Sequence, residues 1–355
     1  MKTYQDFLAL GEDEKQRIDF IRQAINEHKS SQAYQLALDA ELYFKGENPT
    51  INRYEKIIYD LQGRAHRDMY TANHKIASSF FGFDVRQEVS YLLGNGVTFQ
   101  EETTKEKLGK KFDLMMVKAA RYALIAGISF GLFNLEHVDV FKLTEFAPLY
   151  DEENGALMAG VRFWQVAEDK PMRATLYEVD GYTDYIQRKG EDMTVLKEKR
   201  PYIQRVRTSP ADGTEIYAGQ NYPSFPIVPL RNGEDALSEL VGKRNTLDAL
   251  DLCTSNMVNN VDEGNLIYWV LQNAGGMNDL DDQKFLDKVR TMHIVHAGSV
   301  EDDGATAEPH TIEAPFQGTD ATINMLKRKL YEDFQAFDSS AVSAVNQTVT
   351  AIEAS

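Results

Sequence analysis

The chain is poor in cysteine, in bases relative to acids and in long apolar runs, and each shortage excludes something. Cys253 is the single cysteine in 355 residues, which rules out an intrachain disulfide and any cysteine-built zinc or iron–sulfur site and fits a reducing compartment. It reads as a small apolar filler. Lys and Arg number 38 against 55 Asp and Glu, a net charge of −17. Ordinary tight DNA binding needs cations to displace condensed counterions, so it is not expected, although a protein that touches DNA without holding it is still allowed. The longest nearly apolar run, 122–133, is interrupted by Gly127, Ser129 and Gly131 and falls short of the roughly 18–20 residues that span a bilayer. The N-terminus has one Lys, a short mixed apolar stretch and then acids, not the order of a secretory signal. No membrane partner is expected, and the chain is placed in the cytoplasm.

What is present is enough for a sizeable core. With 43% hydrophobic and 26% charged residues, the chain matches ordinary globular proteins and has room for one large domain or two to three smaller ones. Helical spacing dominates the first third, over 13–44, 73–80, 85–93 and about 104–126. From Gly127 to about Val228 short runs rich in Tyr, Phe, Val and Thr, separated by turn residues, predict an antiparallel sheet of hairpins or a meander. Pro223, Pro226 and Pro229 predict an extended, polyproline-like connector. After it, a helix capped at Asn232 or Gly233 is expected to run to Gly264 with Leu237, Leu240, Leu247, Leu250, Met257 and Val261 on one stripe. A second helix, started by Gly318 and Thr319, carries Ile323, Leu326, Leu330, Phe334 and Phe337 on one face. Between them lies an insert with strands expected over 266–271 and 292–295 and with acidic loops. The small, polar ending after Asp338 looks truncated.

Few motifs carry chemistry. No phosphate-binding Walker loop is present, and the Gly94-Asn-Gly96 start of a dinucleotide fingerprint lacks its third glycine at Phe99, so a helix stop is the better reading. His293 and His296 with Asp302 or Asp303 form the best catalytic-looking cluster, but residues three apart on a strand point to opposite faces. Asp279, Asp281 and Asp282 lack the glycine and closing Glu of a calcium loop and read as a solvated acidic loop. Neither a metal nor a cofactor is implied. Lys327, Arg328 and Lys329 form the one basic cluster on an expected helix, read first as a solvated face and second as a phosphate-facing patch.

The order of features resembles the portal proteins of tailed bacteriophages, the long-tailed type of Gram-positive hosts. The likeness is carried by FKGENP (44–49), NHKIASSFFGFDVRQEVSYLLGNGVTF (73–99), FPIVPLRNGEDALSELVGKRNTLDALDLCTSNMVNN (225–260), APFQGTDATINMLKRKLYEDFQAFD (314–338) and NQTVTAI (346–352). The resemblance implies an α+β, portal-like chain. A helical and β-sheet wing would cover 1–233, and two long stem helices at 234–264 and 319–338 would flank a small α/β clip at 265–318. The tunnel loop and the start of a tunnel helix would cover 339–355, with the C-terminal part of the family missing.

The same resemblance implies a virion protein at the capsid vertex, assembled in the host cytoplasm as a homo-oligomeric ring of twelve. Double-stranded DNA would pass through it non-specifically during packaging and ejection. Further partners would be the terminase large subunit, the major capsid and scaffolding proteins and the head–tail adaptor. Val345, Asn346, Gln347 and Thr348 would face DNA in the tunnel loop. Lys327, Arg328 and Lys329 would form a basic channel ring, and Asp279, Asp281, Asp282, Glu301, Asp302 and Asp303 would dock the motor. No catalysis is expected. An acidic channel that repels phosphate lets DNA slide without multi-contact adhesion. Two other readings stand against this one: a metal-dependent hydrolase or nuclease built on His293 and His296 with nearby carboxylates, and a monomeric acidic adaptor.

Overall fold

Side-chain oxygens of Asp13 and Ser31 accept hydrogen bonds from the amides of Gln16 and Tyr34, starting two consecutive helices, and Gly46, at φ 77, ends the second. The computed structural model describes residues 2–59, 63–69, 71–204, 206–208, 215–217, 219–264, 268–272, 306–310 and 316–338. In chain order the helices are α1 (Tyr4–Leu8), α2 (Glu14–Ser30), α3 (Gln32–Lys45), α4 (Pro49–Arg53), α5 (Phe80–Leu93), α6 (Glu102–Lys107), α7 (Phe112–Ala126), α8 (Arg244–Gly264) and α9 (Phe316–Phe334). The strands are β1 (Ile57–Tyr59), β2 (Ala65–Arg67), β3 (Ile128–Phe133), β4 (Val138–Lys142), β5 (Phe146–Tyr150), β6 (Leu157–Trp164), β7 (Met172–Glu178), β8 (Gly181–Gln187), β9 (Thr194–Arg200), β10 (Val206–Thr208), β11 (Glu215–Tyr217), β12 (Ile227–Arg231), β13 (Tyr268–Gln272) and β14 (Thr306–His310). The fold is α+β.

The chain divides into two units, the first made of Met1–Pro49, Ala77–Leu247 and the chain from Lys329, the second of Thr50–Ile76 and Asp248–Arg328. The first unit contains the expected meander: an antiparallel sheet in the order β5-β6-β7-β8-β9. Phe7 of α1 and Phe20, Ile21, Ala24 and Ile25 of α2 pack against Ala159, Val161 and Phe163 of β6 and Ala174 and Leu176 of β7. A second core joins Ala37 of α3 to Phe130, Phe141, Phe146 and Tyr177. Gly160 is obligatory there, because a Cβ at that position would lie 2.1 Å from the Phe146 ring. His28 ties the two cores together: it is buried, and its Nε2 donates to the Leu143 carbonyl at 2.7 Å.

The proline-rich connector, expected to be extended throughout, bends at Pro223, Ser224 and Pro226, and only its end is a strand. β12 pairs with β3 in the order β12-β3-β4, with Pro229 opposite Phe130. As an edge strand it tolerates a residue that has no N–H to donate.

The structure corrects three helix expectations. The helix expected from 234 begins at Arg244. Residues 234–243 are turns, with positive φ at Gly233, Ala236 and Gly242. They are held on the end of α7 instead: the Asn232 amide donates to the Gly127 carbonyl at 2.8 Å and the Glu239 amide to Leu124 at 2.9 Å. Gly127, at φ 85, leaves only 2.1 Å between a Cβ and the Ala236 carbonyl, so no other residue fits that approach. The helix expected over 104–126 is two, α6 and α7, parted around Gly109 at φ 93. Residues 73–79 form an irregular strap, with helix only from Phe80.

The second unit holds the β1–β2 hairpin, the strap as far as Ile76, the β13–β14 pair and the parts of α8 and α9 on its side of the division. The strand expected over 266–271 is β13; that over 292–295 lies outside the described residues.

Candidate functional site

The two long helices expected to frame the site carry different faces. On α8, Leu247 and Leu250 are buried as the apolar stripe requires, while Val261, further along it, is 50% exposed. Beside that stripe runs a second one: Asp251, Ser255 and Asn259, four residues apart and all buried. It binds the strap. The Ile76 amide donates to Ser255 Oγ at 3.0 Å and the His74 amide to Asn259 Oδ1 at 2.7 Å, while the His74 ring pairs with Asp262 one turn further on. Ser255 Oγ in turn donates to the Asp251 carbonyl at 2.7 Å. The sequence reasoning missed this ladder, although the spacing of 251, 255 and 259 was its signal.

On α9, Ile323, Leu330 and Phe334 are buried. The expected stripe stops short of Phe337, which is 46% exposed, because α9 ends at Phe334 and Gln335 takes φ 53. Lys327, Arg328 and Lys329 are all exposed. Consecutive residues turn by about 100° on a helix, so the three fan around α9 instead of sharing one face. Lys329 pairs with Asp333 at 2.9 Å.

The first unit contains a charged joint around Lys243. Its Nζ lies 4.3 Å from the Phe334 ring centroid and pairs with Glu239. Phe334 also meets Phe80 at 5.6 Å and Phe81 at 6.1 Å. Asp84 of α5 is 4% exposed. Burial first, and the like charges of Glu88 and Glu239 second, push its carboxyl from 3.8 up to about 7, against the opposing pull of Lys243. Glu88 is raised, again mainly by burial. For Glu239 burial acts upward, but hydrogen bonds from Asn232 and Lys243 hold it below its usual value. Three carboxyls thus share one cation, and Asp84 takes up a proton near neutrality.

A cleft of about 240 Å³, lined by Glu41, Phe44, Lys45, Arg121, Tyr122 and Lys142 among others, opens in the same unit. Lys142 pairs with Glu41 at 3.1 Å, and the Tyr122 ring has Lys118, Arg121 and Lys142 within 5.2–5.7 Å.

Asp279, Asp281, Asp282, Glu301, Asp302, Asp303, Val345, Asn346, Gln347, Thr348, His293 and His296 lie outside the described residues. Among the described residues no cluster of His, Cys, Asp and Glu could hold a metal, and no helix is long and apolar enough to cross a membrane.

The family model described as phage portal protein, SPP1 Gp6-like, matches residues 23–355. The chain belongs to this phage portal protein family. It is 22% identical over 347 residues to the portal protein of Bacillus phage SPP1, covering 90% of this chain and 63% of that protein. To the portal protein of Clostridium phage phiCD119 it is 21% identical over 342 residues, covering 89% and 72%. The chain therefore spans about two-thirds of the length of these relatives. Among solved structures, a chain of the virion of a native gene transfer agent particle gives a TM-score of 0.39 at 9% identity, over 77% of this chain and 67% of that one. A chain of the neck of the empty particle gives 0.40 at 8%, over 77% and 69%.

Proposed function

We propose that the chain is a subunit of a portal ring at the capsid vertex, the conduit through which double-stranded DNA enters and leaves, with no catalysis of its own. The observation that carries the reading is the family match over 23–355, supported by the order of elements: two long helices, α8 and α9, bracket a segment that contains an antiparallel strand pair. In this reading residues 1–233 are the wing, the segments 234–264 and 319–338 the stem, 265–318 the clip and 339–355 the tunnel loop. Asp279, Asp281, Asp282, Glu301, Asp302 and Asp303 dock the terminase large subunit, while capsid, scaffolding and head–tail adaptor proteins meet other faces of the ring. The net charge of −17 per chain keeps the channel from gripping phosphate. Lys327, Arg328 and Lys329, fanned around α9, form a basic ring that damps DNA motion. Val345, Asn346, Gln347 and Thr348 face DNA in the tunnel loop.

The test is native mass together with negative-stain images of one sample. A closed ring of about twelve copies of the 40.2 kDa chain, with a central hole, is the expected result. A monomer at every concentration overturns it. Charge reversal at Lys327, Arg328 and Lys329 that leaves DNA packaging and retention unchanged removes their damping role. Neutralised clip acids that still bind terminase remove the docking role.

A further inference from the structure

We infer that the β1–β2 hairpin is a docking element that seats on a second copy of this chain. The inference rests on the ring reading and names the part of the chain that closes the contact. The strands pair Ile57 with Arg67, Ile58 with His66 and Tyr59 with Ala65, and every residue of both strands is exposed. Ile57 is 57% exposed and Tyr59 72%, both on one face; Ile58, on the other, is 40% exposed. Tyr54 and Met69, at 42% and 76%, extend the apolar surface beyond the strands. A two-stranded hairpin with both faces in water is marginal by itself, and a strand that is apolar on both faces has the pattern of one covered on both sides.

Charge identifies what covers it. Residues 53–75 hold five Lys and Arg (Arg53, Lys56, Arg64, Arg67, Lys75) against three Asp and Glu (Glu55, Asp60, Asp68), in a chain whose net charge is −17. The segment 53–75 that contains the hairpin is therefore net basic and apolar, and the rest of the chain carries the entire acidic excess. A second copy offers the complementary sign together with the protein surface that Ile57, Ile58 and Met69 need. DNA offers the sign but little for aliphatic side chains to be buried against. A cyclic ring also requires heterologous contacts, in which one face of a subunit meets a different face of the next. An exposed hairpin in a segment of opposite net charge to the rest of the chain supplies one such face.

The experiment compares the parent chain with Ile57→Asp/Tyr59→Asp and, separately, Ile58→Ser, by native mass over a concentration series and by circular dichroism. The expected result is a rise of about tenfold or more in the concentration at which half the chains are monomeric for the double variant, with a smaller rise for I58S. The spectrum should be unchanged, because these side chains are exposed. A parent ring matched by an equally stable ring in both variants overturns the hairpin role and leaves the ring reading standing. A monomeric parent overturns both. Rings of normal stability in which the double variant, but not the parent, loses binding to a short DNA duplex, read by fluorescence anisotropy, assign the hairpin to DNA and overturn the inference.

Discussion

The sheets of the first unit and the strap of the second are held by opposite means. Around β5–β9 the contacts are apolar and layered: α1 and α2 cover one face of the sheet, and the rings of Phe130, Phe141 and Phe146 fill the neighbouring core. Along α8 the strap is fixed by three polar side chains reading its backbone and its one imidazole. Apolar packing is non-directional and tolerates similar shapes, whereas a buried side chain that satisfies a backbone N–H fixes register and leaves an orphan donor when it is lost. The first arrangement builds bulk. The second sets the path of a single irregular segment.

Breaking the apolar side has the largest expected effect. Phe146 is fully buried, 4.5 Å from the Phe130 centroid and 6.0 Å from that of Phe141. Phe146→Ala should cost about 3–5 kcal/mol in denaturant unfolding. A loss below about 1 kcal/mol would show that this core is not close-packed.

The charged joint is the exception within the first unit. Because folding raises the Asp84 carboxyl from 3.8 to about 7, the folded state keeps a proton that the unfolded state has lost. Stability therefore falls as pH rises from about 4 to 7, by up to about 4 kcal/mol, and is level above that. Glu88, raised as well, adds to the decline, whereas Glu239, held below its usual value, works against it. Asp84→Asn should flatten the decline and stabilise the chain at pH 8. A pH profile identical to the parent's would place the titration elsewhere.

On the polar side, Asn259→Ala leaves the His74 amide without its acceptor and should cost about 1–3 kcal/mol. Amide hydrogen exchange should accelerate at 74–76 more than in β5–β9. Uniform acceleration across both regions would erase the contrast between them. The smallest effect is expected at Lys329–Asp333, an exposed i,i+4 pair. Asp333→Asn should change stability by about 0.5 kcal/mol or less.

The meander was legible because turn residues separate β-rich runs whose partners are adjacent in the chain, so each pairing is local. Strands β4, β5 and β9 gave weaker signals: Pro148 sits within β5, and β9 carries Lys197, Lys199 and Arg200 on an exposed edge. Of the apolar stripe expected from Leu237 to Val261, Leu240, Leu247 and Leu250 are buried while Leu237 and Val261 are about half exposed, and the stripe was wrongly read as one helix from 234, because periodicity does not report the positive φ at Ala236. The strap was read as helix for a related reason. His74 to Ser79 have acceptable helical propensity, and only the distant Ser255 and Asn259 offer their backbone a better set of partners. Of the candidate site, the basic trio on α9 was placed correctly on a helix, while its fan-like spread follows from the 3.6-residue turn.

Composition, charge and the order of elements were determined by the sequence alone: an acidic α+β chain with a meander, two long helices and the family's sequence pattern. Those properties are local or additive, so they survive without knowledge of contacts. The docking of 232–243 on the end of α7, the polar ladder on α8 and the raised carboxyl of Asp84 were decided by tertiary structure. Each depends on groups far apart in the chain arriving within hydrogen-bonding distance or shielding one another from water, and no local pattern encodes that proximity.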